Sequence, residues 1–542
     1  MDLDLVIKNG AIVDGTGRPR FRADLAVAGG RIAAVSAGAP LSGRAVIDAT
    51  GLAVAPGFLD THSHADWILP LAEHERILAP LVLQGITTIV GGNCGFSPAP
   101  ARHDAAAALD EISESLRDRA FPYAWQSFAE FLASLERGGL LLNLGCLVGH
   151  GALRTLAMGE RSGPPTPEEL ETMRRLAREA LRDGALGFSA GLAYAPGVFA
   201  KNDELLALLE TVAAEGGVFT VHGRAYSWVS PFYQPMFLGA AHNLRSTREL
   251  LDLAKQAGVR LQLSHLIFVG RRTWRTHRAV LREVERAAES GLDVGFDAFP
   301  YTVGNTTIKV VFPEWFLDGF LEKVNDPTAL RRLKREINLL QWALGIEYRD
   351  LRLLWACVPE LAHLEGLDFA AIAERLGLPP FAAYMHVARL SQGKARILLD
   401  TYSGDPTHEA PLRAALAHPL CAFITDTILT SKGAHNPASF GTYPRILGRY
   451  CRDLGLFPLE EAVRRMTALP AARLGLEGVG RIAEGLSADL VLFDPETVAD
   501  NTAPGRSDAP PSGIKAVLIG GEVVARDGQM VPGVRKGRVL RK

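Results

Sequence analysis

An eight-stranded (β/α)₈ barrel with a small β domain built from both chain ends is the fold this sequence predicts, on three observations. Eight short apolar runs recur through the middle of the 542-residue chain, separated by helical patterns. Both ends show alternating runs broken by glycine instead. Residues able to bind a metal fall where the apolar runs finish, which is where this fold gathers its chemistry.

In chain order, LDLVIKNGAIVDG and DLAVAGGRIAAV read as antiparallel strands with tight turns. Near the C-terminus, ADLVLFDPETV and IKAVLIGGEVVARDG repeat that style, so residues 1–55 and 476–542 together predict one small β-sandwich. Residues 56–475 predict the barrel, with strands at GFLDTHSHAD, GITTIVGGNCG, LLNLGCLVGHG, GALGFSAGLAY, GVFTVHGR, VRLQLSHLIF, LDVGFDAFPY and CAFITDT. Between strands, TPEELETMRRLAREALRDG carries proline and acids early, bases late and a closing glycine, as a capped amphipathic helix should. Residues of about 302–410 are too many for a βα loop and predict an insertion after strand seven, with helical pieces, packed over the barrel mouth.

Hydrophobic residues at 48% and charged residues at 22% suit a chain that buries a large core. Lys plus Arg number 58 against 60 Asp plus Glu, so no strong field favours nucleic acid or an anionic membrane. No secretory leader pattern opens the chain, and no run of about 18 apolar residues follows. Five scattered cysteines do not form the dense framework of a disulfide scaffold. These features predict a soluble, cytoplasmic protein acting on a small molecule, without nucleic-acid or membrane partners; a homo-oligomer stays open.

His62 and His64 are two residues apart on extended chain, so both rings face one ion. Cys94 ends the second run inside GGNCG, where glycines allow close backbone approach and leave the thiol uncovered. His222 and His265 finish the fifth and sixth runs, and Asp426 finishes the eighth. Singly, each has a bland alternative: a core histidine, an inert buried cysteine, a helix N-cap. Jointly, six such residues at strand ends predict a zinc site of His62, His64, Cys94, His222 and His265 with a catalytic carboxylate at Asp426. Zinc lowers the pKa of water from about 15.7 to about 7. Asp426 is then the expected general base, returning its proton to the leaving nitrogen.

The motifs VIKNGAIVDGTG, APGFLDTHSHAD, GGNCGFSP, LVGHGALR, GFSAGLAYAPG, FPYT, FGTYPRILGRY and GRIAEGLSADLVLFDPETVAD run nearly end to end. In them the chain resembles the amidohydrolase superfamily, within it the N-acyl-D-amino-acid deacylase (D-aminoacylase) family. The resemblance implies one tight zinc on Cys94, His222 and His265, and a second, weaker divalent ion on His62 and His64 with Cys94 as bridge. Many superfamily members bridge their metals with a carboxylated lysine on strand four, but ALGFSAGLAY has no lysine, in keeping with the cysteine variant. His150, in VGHG, is a candidate donor to the developing oxyanion, with a structural hydrogen bond as the alternative. Tyr194 and Tyr301 resemble substrate-contacting positions; packing is the alternative for each.

Two departures bear on the substrate. Relatives read His-Pro-Arg before the Gly-Thr-Phe-Pro-Arg block and use that arginine for the substrate carboxylate, whereas this chain has HNPASFGTYPR, with Ala438 in the arginine's place. After His265 the family's His-Lys becomes Leu266-Ile267, and the segment after His222 supplies Tyr226, Trp228, Phe232, Tyr233 and Phe237. These changes predict a bulkier, less anionic substrate, with Arg224 left as the basic residue for an anion. The expected reaction is zinc-dependent hydrolysis of a linear amide, an N-acyl amino acid or related N-acyl derivative. A cyclic amide, imide or ureide hydrolase on the same metal site is the alternative. A non-catalytic metal-binding scaffold is disfavoured because every ligand and Asp426 are present.

Overall fold

The computed structural model describes residues 3–102, 105–120, 123–159 and 161–542. Eight parallel strands make the barrel: β1 (Phe58–Asp60), β2 (Ile86–Gly91), β3 (Asn143–Gly149), β4 (Gly187–Gly191), β5 (Val218–His222), β6 (Arg260–Leu263), β7 (Val294–Ala298) and β8 (Cys421–Phe423). Each lies on one of the eight apolar runs. Their residues are buried almost throughout, as expected of strands covered by helices on one side and by the barrel interior on the other. The ring closes just past β1 and β8, where Ser63 bridges Thr427 in parallel, Asp426 N–H donates to His62 O at 3.0 Å and His64 N–H to Thr427 O at 2.9 Å.

The crossover helix Pro167–Arg182 shows how the sequence terminates its elements. The Thr166 hydroxyl accepts the Glu169 N–H, the Glu169 carboxylate accepts the Thr166 N–H, and Pro167 fills the first helical position. Met173, Ala177 and Ala180 form its buried stripe. Among the described residues no helix is long and apolar enough to cross a membrane.

Strands from both chain ends join in one nine-stranded mixed sheet, seamed where Ala53–Pro56 pairs antiparallel with Leu490–Phe493. The first strand, Leu5–Ile12, bends at a bulge where Asn9 has φ 64°. Before the bulge it pairs with Ala45–Asp48, after it with Ala53–Pro56. The two halves of the sheet enclose a shared core that includes Leu25, Val54, Leu490 and Leu518. Only Gly57 separates this sheet from β1, and a Cβ there would lie 2.1 Å from Thr87 Oγ1.

The segment between β7 and β8 combines helices with a three-stranded antiparallel sheet, Leu351–Trp355 beside Arg396–Leu399 beside Gly304–Thr307. The helical pieces are as expected; the sheet is not, because four-residue strands such as GNTT carry too little periodicity to be read. Phe312, Phe316, Leu333, Leu353, Phe369 and Tyr384 form its core. Ile267, Phe299 and Ile424, which follow β6, β7 and β8, pack into the same cluster, so the insertion sits on the carboxyl ends of those strands.

Candidate metal centre

Five strand ends converge on one buried cluster. Cys94 Sγ lies 3.3 Å from His62 Nε2, 3.6 Å from His265 Nε2 and 3.9 Å from His222 Nδ1. Asp426 Oδ1 lies 3.5 Å from His62 Nε2 and 3.8 Å from His64 Nε2. Three overlapping sets, His62–His64–Cys94, Cys94–His222–His265 and His62–His265–Asp426, each hold their donor atoms within 4.8 Å of one another. Tetrahedral ligation at zinc bond lengths separates donors by roughly 3.3–3.6 Å, so the sulfur spacings to His62 and His265 fit and the one to His222, at 3.9 Å, is slightly wide. The His222–His265 pair, at 2.9 Å, is tighter than ligation requires.

Local backbone conformation aims these groups. Cys94, His265 and Asp426 all adopt left-handed φ, 53°, 31° and 50°, which turns each side chain back across its strand end. The Cys94 turn fits because its neighbours are small. A Cβ on Gly92 (φ 75°) would lie 1.9 Å from Leu147 O, and one on Gly191 would lie 2.2 Å from Cys94 O. Ser189 of β4 braces the turn, its hydroxyl donating to Gly92 O and accepting the Gly95 N–H. The strand without a lysine thus supports the cysteine loop with small residues.

Two carboxylates that the sequence analysis did not single out lie beneath the cluster. Asp297, ending β7, accepts the His265 N–H at 2.6 Å and Gln262 Nε2–H at 3.0 Å, and lies 3.8 Å from His62 Nδ1. Asp60, ending β1, accepts the N–H groups of His62 and Thr425 and the Thr425 hydroxyl. A charged residue closing an otherwise apolar strand was the signal available for both, in LDVGFDAF and GFLD. Burial pushes both carboxyls up to about 7. It pushes Asp426 up to about 8, with Asp297 and Asp60 adding repulsion, and drives the Cys94 thiol well above its usual range. Burial holds His64 near 3 and His265 near 4, with His62 and His222 also well below the ordinary value. Neutral imidazoles keep their lone pairs free, and a divalent cation is the partner that would relieve the buried acids.

Two chambers open from the cluster, sharing Ala193, Tyr194 and Val310 as a common wall. One is apolar, floored by His222 and enclosed by residues such as Tyr226, Ile267, Leu340, Leu344 and Tyr402. The other contains His64, Cys94, His265 and Asp426 and is roofed by Asn305, Thr306, Lys309 and Arg396 of the insertion.

The remaining expected residues divide accordingly. Tyr194 stands on the common wall with its hydroxyl 3.3 Å from His222 Nδ1. Arg224 lines the apolar chamber, but its guanidinium is spent on Glu249 at 2.9 Å and Ala200 O at 2.7 Å, which leaves little for an anion. His150 lines neither chamber. Its Nε2 is 2.8 Å from Glu204 Oε1, which Arg154 also contacts, so the ring is held in a buried hydrogen-bonded cluster away from both chambers. Tyr301 also lines neither, its hydroxyl donating to Asp500 at 3.0 Å. Of the aromatics after His222, Tyr226 and Phe232 reach the apolar chamber, while Trp228, Tyr233 and Phe237 pack outside it.

The sequence matches the Amidohydrolase family over residues 45–525. It is 33% identical to the D-aminoacylase of Alcaligenes xylosoxydans xylosoxydans, across 99% of this chain and 97% of that one. It is 34% identical to the N-acyl-D-glutamate deacylase of the same organism, across 100% and 97%. The crystal structure of the N-acyl-D-glutamate deacylase of Bordetella bronchiseptica, complexed with zinc and a phosphonate inhibitor that mimics the tetrahedral intermediate, superposes with a TM-score of 0.82 at 32% identity, covering 100% of both chains.

Proposed function

Since the chain belongs to the amidohydrolase family, in its D-aminoacylase and N-acyl-D-amino-acid deacylase group, we propose that it hydrolyses the linear amide of N-acyl amino acids at the cluster described above. The convergence of Cys94, His222 and His265, with His62, His64 and Asp426 beside them, is the observation that carries the reading. Cys94, His222 and His265 would hold the principal zinc, and His62 and His64 a second, weaker ion sharing Cys94. Bound zinc supplies Lewis acidity, which acidifies water toward neutral pH and polarises a carbonyl.

The protein's own groups manage the proton. Asp426 faces both the histidines and the polar chamber, where a water and the scissile nitrogen would sit. It accepts the proton of the attacking water and delivers it to the leaving amine, one carboxylate serving twice. Burial, with added repulsion from Asp297 and Asp60, favours the protonated form needed for the second transfer. Tyr194, on the wall between the chambers, is placed to donate its hydroxyl to the substrate carbonyl oxygen.

The test is amine release from both enantiomers of a panel of N-acyl amino acids, with zinc content measured on the same protein. Zinc-dependent release of two products per substrate supports the reading. Ring opening of a ureide to one product without amide hydrolysis, or activity untouched by chelation, would overturn it.

A further inference from the structure

We propose that the insertion supplies the carboxylate receptor of this enzyme: Lys309 and Arg396 bind the acidic amine half of the substrate in the chamber of Asp426, while the acyl group occupies the apolar chamber. The inference rests on the N-acyl amino acid reading above. Ala438 is fully buried, lies in neither chamber and packs in the insertion's apolar core, so nothing at that position can hold an anion.

The charge balance of the polar chamber points to Lys309. Of its carboxylates, Glu111 is paired with Lys394 at 3.2 Å and Glu114 with Arg117 at 3.1 Å. Among the described residues Lys309 makes no ion pair or hydrogen bond; its ammonium lies 5.8 Å from the Phe320 ring centre, and burial holds it below its ordinary basicity, with Glu111 and Lys394 acting on it in opposite directions from beyond contact. A cation partly withdrawn from water without a close carboxylate is costly unless something anionic joins it. Arg396, 2% exposed, has no carboxylate within ion-pair distance among the described residues either. It donates from Nη2 to Thr430 Oγ1 and Lys432 O, and its Nε lacks a partner. Asn305 Oδ1 and Thr306 Oγ1, on the same roof, are buried and unpartnered. Four polar groups without complete bonding, two of them cationic, therefore surround one space. Asp426 lies on that side of the cluster, so the half of the substrate that takes its proton, the amine half, lies there too. The acyl half is left to the apolar side.

The experiment compares N-octanoyl-alanine, as the better enantiomer, with N-octanoyl-ethylamine, which lacks only the carboxylate. In the zinc-loaded full-length protein kcat/KM favours the acid by about 100-fold or more, as expected of a charge-assisted contact. Lys309→Met lowers that acid-to-ethylamide ratio by about 30-fold and Lys309→Arg restores most of it. An unchanged ratio overturns the proposal. Calorimetric binding of the same two compounds to zinc-loaded Asp426→Asn protein separates the two readings. Selective binding of the acid that Lys309→Met weakens by about tenfold or more supports the receptor even if no amide is cleaved. Equal binding of both compounds overturns it even if amides are cleaved.

Discussion

The carboxylate of Asp297 accepts the backbone N–H of His265 at 2.6 Å, and so fixes from below a cluster residue whose own φ is 31°. The same oxygen faces His62 Nδ1 at 3.8 Å, beyond hydrogen-bond reach, so one acid lies beneath two histidines of the cluster. Such outer carboxylates orient the rings that hold a metal. Asp297→Asn should therefore fold but weaken zinc binding by about 10- to 100-fold, measured by competition against a chromophoric chelator. An unchanged affinity would remove Asp297 from the centre.

Asp426 separates binding from turnover. Asp426→Asn keeps the shape and the position facing His62 and His64 but can carry no proton between water and amine. Zinc content should stay at the wild-type level while kcat falls by about 10²- to 10⁴-fold. Near-normal kcat in a metal-replete preparation would exclude it as the proton carrier.

The Cys94 turn tolerates no side chain at Gly92. A methyl group there would meet Leu147 O at 1.9 Å in a left-handed conformation. Gly92→Ala should lower stability by about 1–3 kcal/mol and reduce zinc affinity with it, since the turn can relax only by moving the thiol. Thermal unfolding and metal titration of the variant check both; wild-type values for both would show that the turn is not strained.

Chain length reports on the apolar chamber. Each methylene buried among Tyr226, Ile267, Leu340 and Tyr402 should contribute up to about 0.8 kcal/mol, roughly three- to fourfold in kcat/KM. A series from N-acetyl to N-octanoyl should rise accordingly. Leu340→Trp should flatten that rise while leaving the acetyl compound nearly as good. A flat series in the wild-type protein would place the acyl group elsewhere.

Tyr301 is expected to matter for stability and not for the reaction. Its hydroxyl and Arg445 Nη1 both reach Asp500 Oδ2 at 3.0 Å, binding the end of β7 to the C-terminal segment. Tyr301→Phe should cost about 1–3 kcal/mol in denaturant unfolding and leave kcat/KM within about twofold. A selective loss of kcat/KM with intact stability would return it to the substrate site.

The barrel is legible in the sequence because each strand is a short apolar run that ends in something polar, and the same endings mark the cluster: Cys94 among glycines, His222 after GVFTV, Asp426 in CAFITDT. Asp297 and Asp60 carried the same mark but were hidden by their neighbours, because they serve as acceptors beneath the ligands. Lys309 and Arg396 were not legible at all. They come from opposite ends of a long insertion whose small sheet pairs Thr307 with Arg396, and only that pairing brings the two basic residues to one roof. The residues flanking Ala438, HNPASFG, include no lysine or arginine; the proposed replacement lies across space, on a different element.

The seam of the barrel sets an order of assembly. Thr425 N–H reaches Asp60 Oδ1 across 365 residues, and Asp426 N–H reaches His62 O beside it. A nascent chain that has emerged as far as residue 420 already contains every imidazole and the thiol of the cluster, yet His62 and His64 have no closed ring to hold them. The insertion precedes β8 in the chain and so is complete in sequence before the strand that closes the ring. Chains truncated short of β8 are thus expected to be incomplete as containers as well as inactive, because the strand that closes the barrel also carries Asp426 to His62.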